Sequence, residues 1–302
     1  MKALSAEKIL RWLGDASYFG VGACLNYASS CLLKRNTTVT APGYGRIRIR
    51  ADQSDFAVIR QILKSREYDA GSPIHHAWLQ ERYDGICASG GTPVIIDAGA
   101  NIGVSARWFA KQYPKAKVIA VEPDPDNFAL CNVNTLGFGN IVSVHAAIGA
   151  RAGAVFLTNT TGHAWGVQTR RTEGTSEGAM PVRPISTLLD PNADERLLLV
   201  KIDIEGFERD LFSDNVEWIE TPALIIIEPH DWMFPGEGSS ASFQKALAKY
   251  DWELLIKGEN LFYFRLPERA KRHDESQTAK GNGSPVSAGN CRVRKLKRVG
   301  VA

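Results

Sequence analysis

Val94-Ile95-Ile96-Asp97-Ala98-Gly99-Ala100-Asn101-Ile102-Gly103 is an apolar run that stops at an acid and then turns through two glycines. The run reads as a buried strand, and Val104 to Tyr113 as the helix that follows it. At the turn Gly99 has no Cβ to hold a ligand away from the backbone, and Gly103 lets the helix pack closely against the strand. A helix N-terminus there offers free N–H groups, so this order of strand, glycine turn and helix predicts a nucleotide site.

The spacing narrows the choice of nucleotide. A dinucleotide-binding turn reads G-x-G-x-x-G, whereas this chain has Gly99-x-x-x-Gly103 with Asn101 where the middle glycine would stand. Asp97 precedes the turn, where its charge would repel a pyrophosphate and attract a ligand carrying positive charge. Both features disfavour a nicotinamide-dependent oxidoreductase. A second strand, Lys117 to Val121, ends in Glu122, about 20 residues past the glycines, where a nucleotide fold keeps its ribose-binding acid.

Farther on, strands recur at Ile141 to His145, Leu197 to Ile202 and Ala223 to Ile227. The last two are continuous apolar runs, as expected of strands covered on both faces in a doubly wound, parallel α/β sheet. Polar residues follow each strand, at the carboxyl edge where open α/β sheets bind ligands. Trp252 to Ile256 and Leu261 to Phe264 form a predicted antiparallel pair across Lys257-Gly258-Glu259-Asn260.

Asp97-Ala-Gly-Ala-Asn-Ile-Gly103, Glu122-Pro123, Ala146-Ala147-Ile148-Gly149 and Lys201-Ile-Asp-Ile-Glu-Gly-Phe-Glu208 together resemble the FkbM-type methyltransferase family. The hexapeptide after the fourth strand is the specific part. The resemblance extends upstream to Ile47-Arg48-Ile49-Arg50, Ser54-Asp55 and Glu67-Tyr68, and ends near Leu266. It implies a Rossmann-like class I methyltransferase fold: a mostly parallel seven-stranded sheet closed by the antiparallel hairpin. It also implies S-adenosylmethionine as donor and O-methylation of a hydroxyl on a sugar, glycan or natural product. A non-catalytic nucleoside-binding scaffold is the second alternative to that reading.

On these grounds Asp97, Gly99, Asn101, Gly103, Glu122 and Ala146 are the candidate donor-binding residues. Methyl transfer is an in-line displacement that depends on positioning, and an alcohol nucleophile also needs a base within hydrogen-bond reach. Asp203 and Glu205 leave the fourth strand, and Glu228 and His230 leave the fifth. Asp203 is the first candidate for orienting or deprotonating the acceptor; His230, whose ordinary pKa is near neutrality, is the competing base. Asp203, Glu228 and His230 also form a candidate Mg²⁺ site. For Glu208 the preferred reading is an acid in the first turn of a helix. No His or Cys spacing resembles a zinc site.

The composition, 44% hydrophobic and 23% charged over 302 residues, is that of an ordinary globular chain. Five scattered cysteines without a C-x-x-C argue against a disulfide framework and for a reducing cytoplasm. Four regions are expected: an N-terminal helical segment over 1–36, a strand and helix extension over 37–90 that can act as a lid, the methyltransferase domain over 91–266, and a flexible basic tail over 267–302. Residues 271–302 hold eight Lys or Arg against Asp274 and Glu275, a net of +6, whereas the whole chain is +3. The tail lacks the basic–aromatic interleaving of a nucleic-acid platform, so no nucleic acid is expected as a partner. Ala16 to Leu33 is uncharged but carries Ser17, Asn26, Ser29 and Ser30, which favours packing over membrane spanning. Peripheral membrane contact through residues 4–33 or the tail is the secondary reading. The Gly- and Thr-rich insertion Arg151 to Pro184, with His163 and Trp165, is the expected place for acceptor recognition.

Overall fold

The computed structural model describes residues 6–159, 167–172, 178–233 and 235–266. The chain begins with α1 (Ala6–Phe19) and α2 (Val21–Leu32), which break at Gly20, where φ is +88°. An antiparallel hairpin follows, β1 (Thr37–Ala41) and β2 (Gly45–Ile49), then α3 (Asp55–Ile59) and α4 (Pro73–Ala88). The sheet elements come next: β3 (Thr92–Ala98), α5 (Val104–Gln112), β4 (Lys117–Glu122), α6 (Pro125–Thr135) and β5 (Ile141–His145). The insertion holds β6 (Ala147–Ile148), β7 (Gly153–Asn159), β8 (Val167–Thr172) and β9 (Met180–Arg183). Then come β10 (Glu195–Ile202), α7 (Glu208–Leu211), β11 (Leu224–Ile227), α8 (Ala241–Leu247), β12 (Trp252–Lys257) and β13 (Asn260–Arg265).

The main sheet has seven strands in the order β12-β13-β11-β10-β3-β4-β5. Strands β3, β4, β5, β10 and β11 are parallel, and β13 runs antiparallel to both β11 and β12. This is the architecture that the resemblance implies. Neighbouring residues on β3 serve opposite faces: Ile95 joins one core with Phe109 and Phe262, while Val94 and Ile96 join another with Ile202 and Phe243. All three are fully buried, which is why the strand reads as an unbroken apolar run. At residues 99–103 the strand order reverses, since β4 and β10 flank β3 on opposite sides; here an open sheet leaves its crevice.

On β2, Ile47 and Ile49 are fully buried while Arg46 and Arg48 are exposed. Helix α3 runs on into one π-helical turn, Arg60–Lys64. The insertion is a second sheet of order β6-β9-β7-β8, with Val155, Met180 and Val182 packed on Phe207. Its His163 and Trp165 lie outside the described residues. Among the described residues no helix is long and apolar enough to cross a membrane, and Cys24, Cys31, Cys87 and Cys131 are free thiols.

Candidate active site

The site forms where the tips of β3, β4, β10 and β11 meet. Backbone ladders run past the strand ends, because Asp203 N–H donates to Ala98 O at 3.1 Å and Glu228 N–H donates to Ile202 O at 3.0 Å. Both acids are therefore held at the carboxyl edge beside the glycine turn.

Lys201 is the hub beneath that edge. It is fully buried, donates to Gly99 O at 2.7 Å, and lies 3.3 Å from both Asp97 Oδ1 and Asp203 Oδ2. Burial alone would lower its pKa, but Tyr68, Asp203 and Asp97 carry it well above the usual lysine range. The two acids and the cation thus compensate one another, which a charge sealed from water requires. Asp97 is 0% exposed, accepts from Ser105 Oγ at 2.5 Å, and lines neither of the two cavities that open here. Its carboxylate faces the lysine.

The glycines also act differently from the expectation. A Cβ on Gly99 would lie 1.8 Å from Asp203 O, so this glycine lets two protein loops touch; its φ of +80° adds a second demand. A Cβ on Gly103 would meet Thr135 and Cys131 of α6 at 3.0–3.3 Å, so its partner is the next helix and not the strand. Gly103 lines neither cavity.

One cavity is walled by Val121, Glu122, Asn127, Ala146, Ile148, Ile204 and Phe207, together with Gly99, Asn101, Asp203 and Glu205. Glu122, 5% exposed, forms its acidic end. Its carboxylate accepts from the backbone N–H of Asn101 at 2.8 Å and of Asp124 at 3.0 Å, and from Asn127 Nδ2 at 3.4 Å. Burial raises its pKa to about 7 against these hydrogen bonds, which lower it. Glu122, Ala146, Gly99 and Asn101 are therefore assembled around one cleft.

The other cavity, about 380 Å³, lies on the opposite side of the turn. Its walls include Gln61, Glu67, Tyr68, Lys201, Glu228, His230, Trp232 and Glu259, and it shares Gly99, Asn101, Asp203 and Glu205 with the first. His230 is 2% exposed; its Nδ1 bonds Glu208 Oε1 at 2.8 Å, and its Nε2 points at Glu205, Asp203 and Glu228 from 3.6, 3.7 and 3.9 Å. Burial works against the charged ring, but Glu208, Asp203 and Glu205 raise its pKa to about 9. The acids around it thus favour the protonated ring.

Glu205 and Glu228 are pushed up to about 8, first by burial and next by the charge of Asp203. The sequence reading placed Glu205 at the end of the fourth strand without a role and left Glu208 in a helix turn. Glu208 does begin α7, yet it is buried against His230. The signal for both lay in the hexapeptide after β10. Asp203, Glu228 and His230 also place donor atoms within 4.8 Å of one another, the grouping expected of a metal site.

The sequence model described as "Methyltransferase FkbM domain" matches residues 97–252, slightly more than half of the chain. The chain belongs to the FkbM methyltransferase family. Among curated proteins it is similar to Methyltransferase sdnD of Sordaria araneosa, with 28% identity over 45% of this chain and 66% of that protein. It is also similar to the hexuronic acid methyltransferase AglP of Haloferax volcanii, with 26% identity over 47% of this chain and 58% of that protein. The matches thus span less than two thirds of either relative. Among solved structures, a methyltransferase from Geobacter sulfurreducens aligns over 70% of this chain and 89% of that one, at 15% identity and a TM-score of 0.34.

Proposed function

We propose that this FkbM-family protein transfers a methyl group from S-adenosylmethionine to a hydroxyl of a polyhydroxylated acceptor, a sugar or glycan. The observation that carries the reading is the pair of cavities meeting at Gly99, Asn101, Asp203 and Glu205. Two substrates entering from opposite sides would bring their reacting atoms together at those residues, which is the requirement of an in-line displacement.

The first cavity suits the donor. Glu122 keeps a lone pair on Oε2 for a ribose hydroxyl while its loop contacts hold it in place, and Ala146, Ile148, Ile204 and Phe207 offer apolar walls to a base. When bound, S-adenosylmethionine supplies a methyl carbon activated by its sulfonium. The second cavity suits a polar acceptor. Glu67, Gln61, Glu228 and Glu259 offer hydrogen-bond partners to hydroxyls, and Trp232, well exposed at the rim, gives an aromatic face for a sugar ring. The name of AglP, a hexuronic acid methyltransferase, supports this substrate class.

Asp203, anchored by Lys201, orients the acceptor hydroxyl, and Glu205 accepts its proton. A pKa of about 8 matches Glu205 to that task better than a carboxylate in its ordinary range. Its backbone φ of +52° is the strained conformation often found where geometry serves chemistry. His230 stays protonated and balances the acids around it. A metal on Nε2 would take the place of its proton, so a protonated His230 and a metal held by Asp203, Glu228 and His230 are alternatives.

Incubating the protein with methyl-labelled S-adenosylmethionine and a panel of sugars and glycans tests the proposal. Label in a sugar methyl ether supports it; label transferred only to nitrogen or carbon, or none with donor bound, contradicts it.

A further inference from the structure

Half of the large apolar side chains exposed among the described residues lie within residues 9–33. They are ordered. On α2, Val21, Leu25 and Leu32 are 53%, 58% and 86% exposed, and with exposed Ala28 they fall at i, i+4, i+7 and i+11, one continuous stripe of a helix. On α1, Ile9, Leu10 and Leu13 form a second exposed apolar cluster, with Trp12 beside it. The opposite sides do the packing: Phe19 and Cys24 are buried in the protein, and Asp15 is tied to Arg60 and Lys64. The helices thus sit on the catalytic body through one face and, among the described residues, leave an apolar face uncovered.

Charge selects what covers it. From residue 6 to 36 the acids are Glu7, paired with Arg11, and Asp15, which is buried. Lys34 and Arg35 follow the stripe directly and are exposed. A second copy would bring the same cations with no exposed acid beyond Glu7 to answer them. An anionic lipid surface answers both features, taking leucines into its acyl boundary and basic side chains among its headgroups. Neither helix can span the hydrocarbon, since 14 and 12 residues reach about 21 and 18 Å, short of a core about 30 Å thick. Trp12 and Ala28 also border a groove of about 310 Å³ with Tyr27 and Phe56, a recess open to an acyl chain.

We propose that α1 and α2 form a peripheral docking face for an anionic bilayer, holding the enzyme at a membrane surface. Sedimentation of the full chain with vesicles tests this, using phosphatidylcholine alone and phosphatidylcholine mixed with phosphatidylglycerol. The proposal expects binding to the anionic vesicles that weakens with salt. Leu10→Glu or Leu25→Glu should cut it about tenfold or more, with an unchanged circular dichroism spectrum because both sites face solvent. Lys34→Glu with Arg35→Glu should remove the preference for anionic lipid. Failure to bind anionic vesicles overturns the proposal. So does binding that survives the leucine variants, which would put attachment elsewhere, including residues 267–302. A dimer by light scattering that Leu25→Glu dissociates, without vesicle binding, assigns the face to a second copy instead.

Discussion

At the residue scale, the account turns on three carboxylates, Glu122, Asp203 and Glu205, whose environments set different tasks. Glu122, with a pKa of about 7, accepts a ribose hydroxyl better once ionised, so donor affinity should rise as pH passes upward through about 7. Glu122→Gln should flatten that dependence and weaken binding by about 1–3 kcal/mol; unchanged calorimetric titrations would remove the ribose assignment. Glu205→Gln should lower turnover by about 10²–10⁴-fold and abolish the rise in rate near pH 8, while donor affinity persists. If Asp203→Asn instead abolishes that limb and Glu205→Gln does not, the proton goes to Asp203. Chelation should leave activity intact, and EDTA inhibition reversed by Mg²⁺ would replace the protonated His230 with a metal ligand. Asp97, Glu122 and Asp203 were visible in the sequence because each ends an apolar run. Their partners were not: nothing in local pattern tells that Lys201 lies under Gly99, or that Glu208 reaches His230, since these contacts join segments distant along the chain.

At the element scale, β3, β4, β10, β11 and the closing hairpin were legible because strands buried on both faces, or alternating in a pair, leave simple hydrophobic patterns. The sheet of β6 to β9 was not anticipated within the Gly- and Thr-rich insertion, because β6 and β9 have only two and four residues and leave little alternation to read. The π turn after α3 was invisible for a different reason: its residues are ordinary helix formers, and only packing distinguishes the two helical windings. Gly103 is the most informative joint between elements. Gly103→Ala combines a φ of +84° with crowding against Thr135 and Cys131, and should destabilise the protein by about 1–3 kcal/mol. Because Gly103 touches neither cavity, donor affinity of the folded fraction should hold. A urea midpoint equal to that of the unaltered protein would show that α5 and α6 are less tightly keyed than the contacts require.

At the scale of the whole molecule, the site taxes the fold in alkali. Glu205 and Glu228, with pKa values of about 8 against 4.5 when unfolded, and His230, about 9 against 6.5, bind protons more tightly in the folded state. Their stabilisation is complete below the unfolded values and is lost as pH rises through about 8 to 9. The melting temperature should therefore fall from pH 7 to pH 9.5, and Glu205→Gln should reduce the slope; a flat profile would contradict the shifts. Across the molecule, the sequence disclosed which sheet this is and which edge is active, whereas the division of that edge into two cavities needed the fold. That division is the central claim, and a crystal structure with S-adenosylhomocysteine tests it most directly. The account predicts a ribose hydroxyl on Glu122 and the sulfur at the junction of Gly99, Asp203 and Glu205, facing the cavity of Glu228 and His230; a nucleoside bound on any other side of the turn would contradict it.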